Sequence, residues 1–266
     1  MKNRQLNFSA ATYDYLARNR AHQFATSFAL RIYRSNSIYS FIPKNACSTM
    51  RVSLAMANGC ISEPSDFNWI HQNNSTFTAD LASLQLADYT FVILRCPYAR
   101  LASAYLDKIV DRTAEAWHLY ETLQRKTEIS ALSFKAFVKA ISTPKVLLSN
   151  IHWQPQSDFL VYKSYDDYFC LEQFAQAKTI IENKAGLQIV DARPLTQHGT
   201  DRFQLLSDDN FAEYLPDDIY TLKKAGKLPS PAALYDDETQ AIVSKLYKQD
   251  LALYKNLFGI QDMLFS

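Results

Sequence analysis

The sequence predicts an α/β fold, a short central parallel sheet flanked by many helices, and three observations carry that expectation. Residues 89–94 (YTFVIL) form a continuous apolar run of the length of a strand covered on both faces. Arg95 ends the run, Pro97 stands where a helix can start, and YARLASAYLDKIV continues with amphipathic helical spacing. A second unit of the same kind lies upstream. There the β-rich run 37–42 (SIYSFI) stops at Pro43, and apolar residues recur at helical spacing through Met50, Leu54 and Met56 until Gly59. Strand and helix alternating in this way build parallel sheets, and the small number of strand-like runs leaves helices dominant.

The remaining elements follow in order. Residues 9–33 read as a helix with Ser9 at its N-cap. Residues 60–78, rich in Asn, Ser and Thr, read as loop, and 79–86 as a short helix. Helices are expected at 113–126 and 131–141, then a loop containing His152-Trp153-Gln154-Pro155, then a strand at 159–162. A helix from 171 to 184 ends at Gly186, residues 190–208 are irregular, and 236–257 form one long helix.

Bulk composition narrows the class. With 266 residues, 48% of them hydrophobic and 21% charged, the chain has ordinary globular character and the length for a sizeable core. No Pro/Gly/Ser-rich linker or charge run divides it, so residues 1–266 are expected to be a single domain. Its 28 basic residues against 27 acidic ones leave no cationic excess of the kind a general nucleic-acid surface needs. The start, MKNRQLNFSAATYDYL, lacks the apolar core of a signal peptide, and no apolar run approaches the ~20 residues that span a bilayer. A cytoplasmic protein, or one cut from a longer precursor, is expected, and in a cytoplasmic chain the sequons at Asn7, Asn73 and Asn74 carry no weight. Cys47, Cys60, Cys96 and Cys170 are scattered, with no CxxC pair and no histidine at ligand spacing. Neither a disulfide framework nor a metal site is expected.

Two segments point to anion binding. In the first, Lys44 follows a short strand, and Ser48 and Thr49 open a helix. Unpaired N–H groups and the helix dipole favour a phosphate or sulfate there, and residues Lys44, Asn45, Ala46, Cys47, Ser48 and Thr49 would hold it. A Walker A loop needs GxxxxGK[ST], and this segment has no glycine. A plain strand-to-helix turn with a solvated lysine and a capping serine is the competing reading. In the second segment, Arg95 stands at the carboxyl end of the expected central strand, the edge where open α/β sheets bind ligands. Arg100 and Ser103 share a helix face, and a guanidinium beside a hydroxyl can clamp a phosphate monoester. Pairing of Arg95 with an acid such as Asp107 is the alternative there.

Together and in this order, the two segments resemble the PAPS-dependent sulfotransferases, most of all the carbohydrate branch that includes the chondroitin sulfotransferases. In that family a PK-x-x-x-[ST] loop binds the 5'-phosphosulfate of 3'-phosphoadenosine 5'-phosphosulfate (PAPS), and an R-[DN]-P-x-x-R-x-x-S-x-Y segment binds the 3'-phosphate. Here they stand as Pro43-Lys44…Ser48-Thr49 and as Arg95-Cys96-Pro97…Arg100…Ser103…Tyr105. His152-Trp153-Gln154-Pro155 is similar to the family's HWxP segment, and Tyr247…Asp250 to its C-terminal Y-x-x-D helix. The resemblance runs from residue 38 to about 258. It departs at Cys96, where the family has Asp or Asn, and at 194–203, which match the nucleotide loop poorly.

The resemblance implies a P-loop-like sulfotransferase fold of the soluble, bacterial type. It implies that Lys44 serves the bridging oxygen of PAPS, residues 45–49 the 5'-phosphate, and Arg95 with Ser103 the 3'-phosphate. The acceptor would be a hydroxyl, on a glycan by analogy with the branch, and neither metal nor second cofactor is needed. Histidine suits the general base because its ordinary pKa of about 6.5 lies near working pH. His152, in the HWxP-like loop, is the first candidate, with His198 and then Glu115 behind it. Trp117, His118 and Tyr120 are candidates for an acceptor cleft, and a packed helix face explains them equally well. A phosphotransferase with a degenerate nucleotide loop and a non-catalytic nucleotide-binding module are the other functional readings.

Overall fold

The computed structural model describes residues 4–73, 75–196, 199–200 and 202–265. Its first half runs α1 (Arg20–Ser27), β1 (Ala29–Ile32), β2 (Ser37–Ser40), α2 (Cys47–Ala57), α3 (Trp69–Gln72), α4 (Leu81–Leu86), β3 (Tyr89–Leu94), α5 (Pro97–Ala104) and α6 (Ala114–Thr122). Then come α7 (Phe134–Ile141), α8 (Pro144–Leu147), β4 (Asp167–Cys170), α9 (Phe174–Ala185), α10 (Arg193–Thr196) and β5 (Gln204–Leu206). The last elements are α11 (Pro216–Lys224), β6 (Lys227–Pro229), α12 (Asp237–Leu246) and α13 (Lys248–Phe258). The class is α/β, as the sequence predicts. The chain divides into two compact units: residues 1–95 with 156–197, and residues 96–155 with 198–266.

The first unit holds a four-stranded sheet of order β1-β2-β3-β4. Strands β2, β3 and β4 are mutually parallel, with Ser40 opposite Val92 and Leu94 opposite Cys170, while β1 is antiparallel to β2. Every residue of β2 and β3 is buried, as expected for strands covered on both faces. Tyr39, Phe91, Ile93, Met50, Leu54 and Ile181 belong to one apolar core that joins the sheet to α2 and α9. Each such side chain stabilises the fold by roughly 1.5–3 kcal/mol on burial. The buried Arg4 guanidinium reaches Asp166 at 2.6 Å and the Ala87 carbonyl at 3.1 Å, which pins the N-terminal segment beside the start of β3.

The second unit is mainly helical, with β5 and β6 as a short parallel pair. Its interior is aromatic: the Tyr105 ring lies 5.2 Å from Phe134, and Phe137 lies 5.6 Å from Trp153. The α5 helix runs on into a π-turn at Tyr105–Ile109, closed by the Val110 N–H on the Tyr105 carbonyl at 3.1 Å.

The loop expected at 60–78 carries α3, the irregular stretch expected at 190–208 carries α10 and β5, and three further expectations about elements need correction. The helix expected at 9–33 is reduced to a 3-10 turn at Leu16–Arg18 and α1, which is capped by the Asn19 side chain accepting from the His22 N–H; Ala29–Ile32 instead pairs with β2. Four residues of helical spacing cannot be told from a strand until a partner is known. The strand expected at 159–162 is a buried apolar run outside the sheet, beginning in a 3-10 turn, and Asp167–Cys170 supplies the fourth strand. Apolarity there reports burial, not pairing. The long C-terminal helix breaks at Tyr247 (φ −106°, ψ 28°), whose hydroxyl donates to the Trp153 carbonyl.

Candidate active site

The loop after β2 has a conformation its sequence does not advertise. Lys44 (φ 72°) and Ala46 (φ 54°) both occupy the left-handed region without being glycine. Such residues cost about 1–3 kcal/mol each and persist where the surroundings over-determine them. The surroundings do so here. The Asn45 N–H donates to the Ile42 carbonyl at 3.2 Å, and its side-chain amide donates to the Ile93 carbonyl at 2.9 Å and to Gln156 Oε1 at 2.6 Å. Arg95 Nη1 donates to the Lys44 carbonyl at 3.0 Å.

The N-cap of α2 is Ala46, which has no side chain able to cap it. The first-turn N–H groups lie at the positive end of an 11-residue helix whose N-cap side chain makes no capping bond. Lys44 and Ser48 are half-buried beside them. Thr49 turns inward, and its hydroxyl accepts from the Ala192 N–H at 3.3 Å. Asn45 is fully buried. Of the six loop residues singled out from sequence, Asn45 and Thr49 thus shape the loop, while Lys44, Ala46, Cys47 and Ser48 form its partly accessible rim.

At the carboxyl end of β3, Gln156 holds both main-chain groups of Arg95. Its Oε1 accepts from the Arg95 N–H at 3.1 Å, and its Nε2 donates to the Arg95 carbonyl at 2.8 Å.

In the second unit, Arg100 lies on α5. Its guanidinium is buried and donates to the Gln154 carbonyl at 2.8 Å and the Ile151 carbonyl at 3.0 Å, gripping the HWQP loop on either side of His152 and Trp153. Trp153 Nε1 donates to the Val146 carbonyl at 2.9 Å, and the Tyr247 hydroxyl holds the Trp153 carbonyl. Burial pushes the Tyr247 hydroxyl pKa far up, keeping it a neutral donor, with Arg100 opposing and Asp250 adding to that shift. The R-x-x-S, HWQP and Y-x-x-D segments therefore meet in this unit. Ser103 is half-buried on α5, and Tyr105 is a core residue whose hydroxyl donates to the Leu132 carbonyl at 3.0 Å.

His152 sits among oriented polar groups. Its Nδ1 lies 2.8 Å from Asn150 Oδ1 and 3.8 Å from Glu115 Oε1. An amide oxygen accepts only, so Nδ1 carries the hydrogen and Nε2 is the basic nitrogen. Glu115 accepts from the Thr113 hydroxyl at 2.6 Å and pairs with Lys108 at 3.3 Å. Burial raises the Glu115 carboxyl, but Thr113, Lys108 and His152 outweigh it and hold the group below its ordinary value. Burial lowers Lys108, but Asp107 and Glu115 outweigh it and hold the ammonium above its ordinary value. Asp107 pairs with Lys108 at 3.2 Å.

Cys96, which stands where the resembling family has Asp or Asn, is the N-cap residue of α5 and makes no capping bond. Its buried sulfur accepts from the Leu264 N–H at 3.4 Å. His22 is buried on α1, and burial lowers its pKa; His71 lies on α3, and His118 is exposed on α6. Trp117 is 56% exposed, with its ring 6.1 Å from Tyr120. His198 lies outside the described residues. Sequence reading passed over Asn150, Lys108 and Gln156; the one available signal was Asn150, a short acceptor two residues before the candidate base.

Among the described residues, no group of three or more His, Cys, Asp or Glu is placed to hold a metal ion, and no helix is long and apolar enough to cross a membrane. No curated protein and no solved structure matches the chain. A family model does match, over residues 33–256, from β2's approach through the HWQP loop to the Y-x-x-D helix. With both segments singled out for anion binding and the His152 cluster inside that span, the chain belongs to the sulfotransferase family, whose chemistry is the transfer of a sulfuryl group.

Proposed function

We propose that this sulfotransferase takes its sulfuryl group from PAPS and delivers it to a hydroxyl of a carbohydrate. The observation that carries the donor reading is the loop after β2. Two left-handed residues and an uncapped helix N-terminus, with a lysine at the rim, form a mould for a tetrahedral anion. Amides of Ala46–Thr49 and the Ser48 hydroxyl hold the 5'-phosphate, and Asn45 keeps the loop in shape. Lys44 stabilises the bridging oxygen as it takes the electron pair of the breaking S–O bond. Arg95, with Ser103, is assigned to the 3'-phosphate, from the order of the sequence motif.

His152 Nε2 takes the acceptor proton while the acceptor oxygen forms the new S–O bond. Asn150 and Glu115 keep Nδ1 protonated and stabilise the imidazolium that results. The scheme calls on positioning and charge alone, and on no metal. The carbohydrate acceptor rests on the resemblance to the chondroitin-type branch, and the exposed Trp117 offers a face for a sugar ring. We also propose that the two units make one functional domain, because the family match runs through both. Cytoplasmic placement belongs to the same proposal; the four cysteines form no disulfide with one another, which fits a reducing compartment.

Calorimetry with 3'-phosphoadenosine 5'-phosphate (PAP) against AMP tests the donor. Tighter binding of the bisphosphate by tenfold or more is expected, since a charged hydrogen bond is worth ~1.5–3 kcal/mol. Equal affinity for the two would end the PAPS reading. Labelled PAPS offered with a panel of glycans, lipids and phenols tests the acceptor, and exclusive labelling of a non-glycan would end that half.

A further inference from the structure

We propose that Gln156 is a positioning residue for the donor loop: by holding Asn45 and both main-chain groups of Arg95 at once, it fixes residues 43–49 against the end of β3 and so sets nucleotide affinity. The inference rests on the donor reading above.

Gln156 is 2% exposed. Its Oε1 accepts from Asn45 Nδ2 at 2.6 Å and from the Arg95 N–H at 3.1 Å, while Nε2 donates to the Arg95 carbonyl at 2.8 Å. Only a primary amide offers a double acceptor and a donor in this pattern. Glutamate keeps the acceptor oxygens but turns a second oxygen on the Arg95 carbonyl, and methionine fills the space with neither. Asn45 lies between the two left-handed residues, Lys44 and Ala46. Its amide spends both hydrogens, one on Ile93 and one on Gln156, and Oδ1 is buried with no partner. The Asn45 side chain is therefore oriented entirely by those two acceptors.

Arg95 adds a second path, since its guanidinium holds the Lys44 carbonyl while Gln156 holds its main chain. Removing Gln156 loosens Asn45 and Arg95 together. The strained loop then loses two of the anchors that make its conformation worth adopting.

The test compares wild type with Gln156→Met, Asn45→Ala, the double variant and Gln156→Glu. Two readouts are used: PAP binding by calorimetry, and amide hydrogen exchange of residues 44–49 in the unliganded protein. For Gln156→Met, PAP affinity falls about tenfold or more and KM for PAPS rises, with the acceptor KM unchanged. Exchange in the loop speeds up by roughly tenfold, while the last turns of α2 keep wild-type protection. The double variant is weakened by less than the sum of the two single effects, because the two residues share one bond. Gln156→Glu retains two of the three bonds and falls between, which keeps the test open if Gln156→Met does not fold.

Wild-type PAP affinity with wild-type loop exchange in Gln156→Met overturns the inference. Strict additivity in the double variant overturns it as well. Failure of the wild type to bind PAP overturns the donor reading instead, and loop exchange in the variants then still decides whether Gln156 holds the loop.

Discussion

Replacing Arg100 by leucine should damage the protein through the HWQP loop and not through nucleotide charge. The Arg100 side chain is 2% exposed; its bond to the Gln154 carbonyl is buried and its bond to the Ile151 carbonyl partly so. A hydrogen bond to a charged group is worth ~1.5–3 kcal/mol, which gives about 3–6 kcal/mol for the pair. Leucine also removes the cost of burying the guanidinium, an offset of several kcal/mol in the other direction before its bonds are counted. The net loss should be about 2–4 kcal/mol, because two carbonyls beside the buried Trp153 lose the Arg100 donors. For a chain of this size each kcal/mol moves the melting temperature by roughly 2–4 °C, so a fall of about 5–15 °C is expected. Lysine carries one compact ammonium in place of the planar fork, and should recover about half of the loss. The assay is a thermal melt followed by circular dichroism at pH 7, with kcat measured well below the transition. A melting temperature within about 2 °C of wild type would refute this reasoning, since a buried cation gripping two loop carbonyls cannot be idle.

Other outcomes follow from the same geometry. His152→Ala should lower kcat by ~10²–10⁴ in single-turnover assays, with PAP affinity almost unchanged; wild-type turnover would remove His152 from the chemistry. Asp236→Ala should cost about 1 kcal/mol in chemical denaturation, because Asp236 Oδ1 caps α12 by accepting from the Thr239 N–H at 2.8 Å. Burial raises the Asp236 carboxyl, but the Thr239 N–H and Lys135 outweigh it and bring the group down to about 2, from an ordinary 3.8. Its contribution is therefore complete above the unfolded value and is lost as pH falls towards 2. The wild-type advantage over Asp236→Ala should be flat from neutral to about pH 4 and shrink below, as acid denaturation curves of the pair will read. Transfer activity should survive EDTA, and loss on chelation restored by Mg²⁺ would favour a phosphotransferase.

Local chemistry made much of the fold legible. The β3–α5 unit was readable because an unbroken apolar hexamer ending at Arg95-Cys96-Pro97 has few other ways to fold. The α2 helix was readable from its spacing and from Gly59, which does take a positive φ of 77°. What failed to show was pairing. Ala29–Ile32 became a strand only because β2 lies beside it, and Phe159 lost that role to Phe169, which has the register with β3. The same division holds at the site. Lys44, Arg95 and His152 stand out as candidates by residue type and context. Gln156 is an ordinary glutamine until the fold brings it to Asn45, and the carbonyls that Arg100 holds cannot be read from its helix face. Hydrogen bonds between distant residues leave no periodicity in a sequence.

The bond between Asn45 and Gln156 also has a temporal meaning. It links positions 111 residues apart, and Arg95 and Gln156 are the points at which the chain leaves the first unit and comes back to it. The whole excursion from 96 to 155 must therefore be synthesised, and its ends brought together, before the loop after β2 can take its working shape. Closing so long an excursion is entropically costly and slow compared with winding α2 itself. A nascent or refolding chain should thus gain its helices first, and the place of β4 in the sheet and nucleotide affinity only after the excursion closes. Recovery of nucleotide binding after dilution from denaturant should lag the return of helical signal.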